Sequence, residues 1–365
     1  MSIWMNGLGR FTAGLAVLCS LQQLPAADPQ PPTAYRELLT QQLRGAEQNQ
    51  ALVVESRATT GTEPAWLLFT SEMRAVASGP FWGDQAVTVS RSSNPKFADP
   101  LPAILDFHKQ LKAAGIELWI VPVPAKIGVY PQLLSVNSRI QATERLDQAH
   151  EKFYAELQKE GIPVNDLTVP LRAAHRSENP APNFSPNFCR TDSHWSGTGV
   201  VVAARSLGLR VKKLAWYQPI PKKVLQTAPQ TVEITGDLAI LLNDKKPVKE
   251  KLALTRVFQM VDGKPTPIAD DPDSPILLLG DSHTLVFHDP TLYAEGCGLA
   301  DHLAEQTGIA VDVIGVRGSG ANAARLNWRR RENPLAGKKL VIWCFSMREF
   351  TENTDGWRVI PVTRR

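Results

Sequence analysis

The chain has 365 residues, of which 43% are hydrophobic and 21% charged, a composition that excludes disorder throughout and suits one large α/β domain or two smaller ones. The formal net charge of +4 and the pI near 8.8 are mildly basic. No Lys/Arg run is dense enough to indicate a nucleic-acid surface, although a basic surface equally suits an anionic polysaccharide.

The first 27 residues have the pattern of a secretory signal peptide. Arg10 supplies the positive charge, an apolar run follows, and residues 24–27 offer a small-residue cleavage site. The pattern predicts an exported, periplasmic protein. The alternative is an uncleaved membrane anchor, because Trp4 and Met5 extend the apolar character toward the start.

Cysteine usage follows from this prediction. Loss of the signal would leave Cys189, Cys297 and Cys344, an odd number in a compartment that favours disulfides. We expect one disulfide and one buried free thiol, with the choice of pair open. No metal site is predicted, because the cysteines are far apart and none belongs to a Cys-x-x-Cys motif.

Residues 28–64 are predicted to form a linker and a helix, the helix from about 34 to 48, and residues 65–365 are predicted to form the main domain. Apolar runs near residues 51–55 and 65–69 are typical of strands, and a short helix is expected at 71–76.

The next segments alternate between helical and strand patterns. A helix is predicted over 100–114, ended by Gly115, and a buried strand over 116–123. A second helix is expected at 139–160 and a short strand at 162–167. This alternation indicates helices packed on a parallel sheet.

A proline-containing loop, PVPAK at 122–126, follows the 116–123 strand at its carboxyl end. Parallel α/β sheets bind their ligands at that edge. Lys126 is therefore interpreted in two ways, as a residue that faces substrate or as a surface charge, and its spacing alone favours the surface.

A loop rich in Asn, Pro and Ser leads from 176 to 190 into TDSHW at 191–195. Asp192 and His194 lie two residues apart, so both side chains can leave the same face of an extended segment. A lone histidine is usually structural. The tryptophan and the glycine-rich helix entry that follow strengthen the case for catalysis, but the motif by itself still favours a structural role. Further on, Asp237 near the start of a helix at 235–242 is interpreted as a capping residue.

Residues 276–284 contain the strongest catalytic pattern. Four apolar residues predict a buried strand, and Gly280 then turns the chain so that Ser282 lies at the strand's carboxyl end. A serine hydroxyl needs a histidine to take its proton and a carboxylate to orient that histidine. Asp192 and His194 supply such a pair, whereas Gly-Asp-Ser alone would equally be a capped turn.

The remaining elements complete the expected sheet. Helices are predicted at 292–307 and 323–331, and strands at 311–316 and 339–345. The residues beside this edge that could bind an oxyanion or substrate are Gly320, Asn322 and Arg348, and the backbone N–H of Ser282 is a further candidate oxyanion donor. The alternative for Gly320 and Asn322 is a simple glycine turn with an Asn cap.

Taken in order, these motifs resemble the alginate O-acetyltransferase family of the AlgJ and AlgX type. They are PVPAK at 122–126 with Tyr130, TDSHW at 191–195, GDL at 236–238, GDS at 280–282, and the last strand with Arg348. The resemblance implies an SGNH-hydrolase-like α/β fold, a parallel sheet flanked by helices. Its order of motifs is permuted relative to ordinary SGNH esterases, which carry Asp-x-x-His after the serine block.

The resemblance also implies roles for individual residues. Ser282 would accept the acetyl group, His194 would act as general base and then acid, and Asp192 would orient His194. Lys126 and Tyr130 join the candidates for oxyanion or substrate binding. The last strand departs from the family pattern, because it lacks the acidic, proline-containing version.

The function expected from the resemblance is an exported exopolysaccharide O-acetyltransferase that needs no cofactor. Its partners would be a polysaccharide or oligosaccharide acceptor and a membrane-bound O-acyltransferase as acetyl donor, with no nucleic acid. The alternatives are a carbohydrate acetylesterase with the same triad, and a non-catalytic polysaccharide-binding component of a secretion complex.

Overall fold

A computed structural model describes residues 39–41, 43–44, 51–54, 64–134, 145–175, 186–242 and 247–363. The predicted signal peptide and much of the linker lie outside the described residues, as do the start of the predicted 139–160 helix and most of the loop before Asp192. Of the helix expected near 34–48, residues 39–41 and 43–44 are described and are helical.

The strands and helices of the described residues are as follows. The strands are β1 (Ala51–Val54), β2 (Trp66–Phe69), β3 (Glu117–Val123), β4 (Gln226–Ile234), β5 (Glu250–Val261), β6 (Lys264–Thr266), β7 (Ile276–Gly280), β8 (Asp312–Gly315) and β9 (Leu340–Ser346). The helices are α1 (Thr70–Ala77), α2 (Ala86–Val89), α3 (Pro100–Ala113), α4 (Lys126–Val129), α5 (Gln148–Lys159), α6 (Thr168–His175), α7 (Gly197–Val211), α8 (Asp237–Leu241), α9 (Leu299–Thr307), α10 (Asn322–Arg329) and α11 (Glu349–Glu352). Short 3-10 helices cover Gly83–Gln85, Pro95–Phe97, Pro131–Leu134 and Ser282–Thr284.

The central sheet has the strand order β3-β9-β7-β8, and all its pairs are parallel. Its two middle strands, β7 and β9, are buried at every position, because helices cover both faces of the sheet. Since parallel strands point the same way, the carboxyl ends of all four meet at one edge. The predicted α/β fold with a parallel sheet flanked by helices is confirmed.

Alternate residues of each central strand pack on opposite helical layers, as the strand period of two requires. Leu278 and Ile342 belong to a core shared with α7 and α9, whereas Leu277 and Trp343 face α3, α5 and α10. The domain is therefore a three-layer sandwich.

The predicted helix-to-strand unit at 100–123 is present. The Asp99 carboxylate accepts a hydrogen bond from the N–H of Leu101 at 2.9 Å, and Pro100 occupies the first turn, where no amide donor is needed. Gly115, with a φ of 72°, turns the chain from α3 into β3.

A separate antiparallel sheet, β4-β5-β6, lies outside the sequence predictions. Leu252, Leu254 and Val257 of β5 pack into the core beside α7 and α9, so this sheet extends the helical layer on that side. A second small pairing joins β1 and β2 in antiparallel fashion.

Two predicted elements differ from the structure. The strand expected at 162–167 is reduced to one parallel bridge between Ile120 and Val164, since Pro163 has no N–H to continue the ladder. The helix expected from 292 begins only at Leu299, because Tyr293 and Gly296 have positive φ values that a helix does not tolerate.

The disulfide prediction is wrong: Cys189, Cys297 and Cys344 are all free and buried. Cys344 lies in the middle of β9, while the Cys189 and Cys297 thiols contact the Trp195 carbonyl and Gln230. Burial raises the pKa of all three thiols, which keeps them protonated and unreactive. In the part of the chain that the structure describes, no helix has the length and apolarity needed to cross a membrane.

Candidate active site

Ser282 lies at the carboxyl edge of the central sheet, immediately after β7. At Gly280 a Cβ would come 1.7 Å from the Cys344 carbonyl oxygen of the neighbouring strand, so only glycine allows the turn here. Asp281 then caps the 3-10 helix by accepting a hydrogen bond from the N–H of His283 at 2.9 Å. Ser282 is the first residue of that helix, and its hydroxyl is directed toward His194.

Two buried charged side chains hold the loop that carries Asp192 and His194. The Lys126 ammonium donates hydrogen bonds to the carbonyls of Leu67 and Asp192, both at 2.7 Å. From the other side, the Glu250 carboxylate accepts from the N–H of Thr191 at 2.9 Å. The loop is therefore fixed through its backbone, although it has no regular secondary structure.

The structure brings Asp192, His194 and Ser282 into one hydrogen-bonded series. His194 Nδ1 lies 2.6 Å from Asp192 Oδ1, and His194 Nε2 lies 2.7 Å from Ser282 Oγ. Because a carboxylate only accepts hydrogen bonds, Nδ1 carries the proton, and Nε2 is left to accept from the serine hydroxyl. This is the protonation that a general base beside a serine nucleophile requires.

Charge and burial together set the pKa values of His194 and Asp192. Burial opposes charging the His194 imidazole, but the Asp192 carboxylate more than offsets it, so the pKa of His194 lies above its usual value. Burial likewise opposes the charge on Asp192, yet His194 and hydrogen bonds from Tyr293 and the Asp237 N–H hold the pKa of this carboxyl well below its usual range. The aspartate stays ionised and orients the imidazole.

Asp237 is part of the site, and its interpretation as a helix cap is wrong. Its carboxylate accepts from the N–H of Ser193 at 2.7 Å and makes no cap bond in α8. One of its oxygens lies 4.0 Å from His194 Nδ1. Gly236 makes this approach possible, since a Cβ there would lie 2.1 Å from the Thr191 carbonyl oxygen. The GDL motif was the available signal for Asp237.

A second aspartate–histidine pair lies beside the nucleophile. His283 Nδ1 lies 3.1 Å from Asp281 Oδ1, and Asp281 Oδ2 accepts from the N–H of Ser346 at 2.7 Å. The rings of His283 and His194 are 4.7 Å apart. Burial lowers the pKa of His283, which favours a neutral imidazole next to the general base.

Lys126 and Tyr130 are buried inside the protein, contrary to the prediction that they line a substrate site. Each is only 1% exposed, so the interpretation of Lys126 as a surface charge is also wrong. The Tyr130 hydroxyl accepts a hydrogen bond from the N–H of Asn187 at 2.6 Å, at the start of the Asp192 loop. Both side chains hold that loop through hydrogen bonds to its backbone, because the carbonyls and amides of an irregular buried segment need partners.

Arg348 lies near the nucleophile turn but is engaged within the protein. Its guanidinium contacts Glu72 at 3.2 Å and the Ser346 hydroxyl at 2.9 Å. It also lies 5.0 Å from the centre of the Phe69 ring. The structure thus links Arg348 to α1 and β2.

The predicted oxyanion donors at 320 and 322 are directed elsewhere. The N–H groups of Gly320 and Ala321 donate to the buried Glu349 carboxylate. The Asn322 amide donates to the Gly356 carbonyl at 2.6 Å. Gly320 packs against the nucleophile turn, since a Cβ there would lie 3.0 Å from the Asp281 nitrogen. Of the predicted donors, the N–H of Ser282 is the one that this geometry leaves as a candidate.

Among the described residues, Asp192, His194 and Asp237 form a group whose potential ligand atoms lie within 4.8 Å of one another. Their hydrogen bonds to each other, to Ser193 and to Tyr293 already use these atoms. A cation would have to displace those bonds, so the arrangement suits proton transfer better than metal binding.

The fold and this geometry define the class of protein. A Ser-His-Asp series at the carboxyl edge of a parallel sheet, flanked by helices on both faces, is the arrangement of a serine-dependent acyl-transfer domain of the SGNH type.

Comparison with known proteins identifies the family. Residues 60–347 match the family model described as "SGNH hydrolase-like domain, acetyltransferase AlgX", and the chain belongs to this family.

Among curated relatives, a "Probable alginate O-acetylase AlgJ" from Pseudomonas syringae pv. tomato is 30% identical over 177 residues, 48% of this chain and 39% of that protein. The corresponding protein of Pseudomonas fluorescens is 27% identical over 184 residues, 48% of this chain and 44% of the relative. The matched segment thus spans less than half the length of these relatives.

Two solved structures share the fold. The O-acetyltransferase domain of Pseudomonas putida AlgJ has a TM-score of 0.59 at 19% identity, covering 84% of this chain and 94% of that one. Pseudomonas aeruginosa AlgX has a TM-score of 0.55 at 17% identity, covering 88% of this chain and 68% of that one.

Proposed function

We propose that this chain is an exported O-acetyltransferase that transfers acetyl groups to hydroxyls of an exopolysaccharide through an acetyl-Ser282 intermediate. The observation that carries the proposal is the hydrogen-bonded series from Asp192 through His194 to Ser282, with distances of 2.6 and 2.7 Å. Membership of a family described as acetyltransferase, and relatives named alginate O-acetylase, support the acyl group and the acceptor.

In the first half-reaction, Ser282 Oγ attacks the carbonyl carbon of an acetyl donor while its proton passes to His194 Nε2. The imidazolium is stabilised by Asp192, and the tetrahedral oxyanion is stabilised by backbone donors at the nucleophile turn. Collapse of this intermediate breaks the bond to the donor's leaving group, which takes the proton from His194. The acetyl ester of Ser282 remains.

In the second half-reaction, a sugar hydroxyl takes the place of the leaving group. His194 removes its proton, the alkoxide attacks the acetyl carbonyl, and Ser282 leaves with the proton returned by His194. Water in the same position would give acetate, which is the esterase reaction. Ser282 and His194 are only 8% and 7% exposed, so solvent has limited access to the reacting atoms.

The source of the acetyl group and the place of action are part of the same proposal. The signal-like pattern of residues 1–27 supports export to the periplasm, where cytoplasmic acetyl donors are absent. We assign the donor role to a membrane-bound O-acyltransferase partner and the catalytic unit to residues 65–365. The acceptor is a polysaccharide or oligosaccharide.

Product analysis with a simple donor tests the proposal. The protein is incubated with p-nitrophenyl acetate and alginate oligosaccharides, and the Ser282→Ala variant serves as control. Acetylated sugar that depends on Ser282 supports the transferase. Acetate release without acetylated sugar would assign an esterase, and the absence of any reaction that depends on Ser282 would favour a non-catalytic polysaccharide-binding component.

A further inference from the structure

Tyr293 makes an unanticipated contact with the orienting carboxylate of the site. Its hydroxyl donates to Asp192 Oδ2 at 2.5 Å, while the nearest competing acceptor, the Thr235 carbonyl, lies at 3.4 Å. The same carboxylate oxygen accepts from the N–H of Asp237 at 2.9 Å. Asp192 Oδ2 is thereby held by two donors, and Oδ1 remains for His194.

The backbone that presents Tyr293 is strained. Tyr293 and Phe287 have φ values of 77° and 62°, in the left-handed region that bulky side chains avoid. The segment is closed by two backbone hydrogen bonds, from Phe287 N–H to the Leu292 carbonyl at 3.0 Å and from Cys297 N–H to the Phe287 carbonyl at 2.8 Å. Strain of this kind persists where the surrounding structure holds it, and it is concentrated at functional sites.

We infer that Tyr293 is a positioning residue for acyl transfer. Its hydroxyl fixes the second oxygen of Asp192, so that the first oxygen stays aligned with the N–H of His194. The segment from Ser282 to Tyr293 thus carries the nucleophile at one end and fixes the orienting carboxylate at the other. The inference rests on the proposed function, because it concerns the same site.

Removal of the Tyr293 hydroxyl changes no formal charge. The direction in which it changes the basicity of His194 therefore follows from the groups that surround the imidazole. The charged or titratable groups that face His194 are Asp192 and Asp237 on one side, and Asp281 and His283 on the nucleophile turn. The Lys126 ammonium group lies near Asp192 and interacts with its charge.

All of these groups remain in Tyr293→Phe. The Asp192 carboxylate then loses one donor, accepts more strongly from His194 Nδ1–H, and stabilises the imidazolium. His194 therefore becomes more basic in the variant.

The test is an NMR titration of ¹⁵N-histidine-labelled protein, wild type against Tyr293→Phe. We expect the titration midpoint of His194 to rise by about half to one pH unit. Part of the free energy of the lost hydrogen bond to Asp192 then appears as stronger stabilisation of the imidazolium. Release of p-nitrophenol from p-nitrophenyl acetate should fall by about tenfold or more. An unchanged midpoint in a folded variant would overturn the inference.

Tyr217→Phe is the matched control, because it deletes a tyrosine hydroxyl that donates to the Thr307 carbonyl at 2.9 Å, away from the site. The control should leave the His194 midpoint where it is. If Tyr293→Phe does not fold, 3-fluorotyrosine at position 293 supplies a stronger donor and should shift the midpoint in the opposite direction. The titration needs no activity, so failure of the proposed function, seen as no acyl transfer that depends on Ser282, is distinguished from failure of this inference.

Discussion

Replacement of Lys126 by methionine is the most informative change to the scaffold of the site. Methionine keeps an unbranched side chain in the buried space but removes the ammonium group that donates to the carbonyls of Leu67, Arg190 and Asp192 at 2.7, 3.3 and 2.7 Å. Glu72, which is also buried, loses a neighbouring positive charge. The backbone that carries Asp192 would lose the hydrogen bonds that Lys126 donates to it.

The expected loss of stability follows from these contacts. Leaving a buried acceptor without a donor costs about 1–3 kcal/mol, and breaking a buried charged network costs about 3–5 kcal/mol after relaxation. We expect the free energy of unfolding to fall by about 3–5 kcal/mol. For a domain of about 300 residues that corresponds to a decrease in Tm of roughly 5–8 °C.

Lys338→Met is the matched control for this prediction. Lys338 is also buried and donates to the carbonyls of Pro272 and Ser274, but it pairs with Asp312 at the amino end of the sheet, away from the site. Urea denaturation should show lower stability for both variants. Turnover of p-nitrophenyl acetate by the folded protein should fall only in Lys126→Met. Full turnover in that variant, or an equal loss in Lys338→Met, would refute the reasoning.

Three further outcomes are expected. Asp192→Asn should lower kcat on p-nitrophenyl acetate by on the order of 10⁴-fold, because the amide no longer selects the tautomer that activates the serine; an unchanged kcat would contradict the assignment. Since the pKa of His194 is raised and its neutral form is the base, kcat/KM measured against pH should fall on the acidic side with a midpoint above the usual histidine value of about 6.5. Burial opposes the charge on His288, but Asp270 and Asp301 raise its pKa to about 10. This pair of contacts contributes stability that is fully present below about pH 6.5 and lost as pH rises toward 10. Urea denaturation across this range should show that loss, and His288→Gln should reduce it.

Much of the fold is readable from the sequence because its signals are local. Apart from Glu117 at the start of β3 and Ser346 at the end of β9, the strands β3, β7 and β9 are apolar runs, which is the pattern of parallel strands buried on both faces. By contrast, β4 has only exposed or half-buried side chains over most of its length. Its pairing with β5 is set by tertiary contacts that no short window of sequence contains.

Some residues of the site could likewise be predicted from local motifs, and others could not. The proximity of Asp192, His194 and Ser282 was predictable, because each lies in a short motif of recognised chemistry. The burial of Lys126 could not be predicted, because a lysine in a loop is usually exposed and its acceptors are backbone carbonyls from two distant segments, at Leu67 and at 190–192. Tyr293 had no local signal at all, since its role depends on a backbone conformation that aromatic residues rarely adopt.

The central claim is that Ser282 carries the acetyl group between donor and sugar. The most direct measurement is intact-protein mass spectrometry after rapid mixing with p-nitrophenyl acetate, followed by peptide mapping, for wild type and Ser282→Ala. The account predicts a gain of about 42 Da on the peptide that contains Ser282, lost faster when oligosaccharide is added and recovered as acetylated sugar. A gain of the same mass in Ser282→Ala, or a wild-type protein that acetylates sugar while no adduct forms at Ser282, would contradict it.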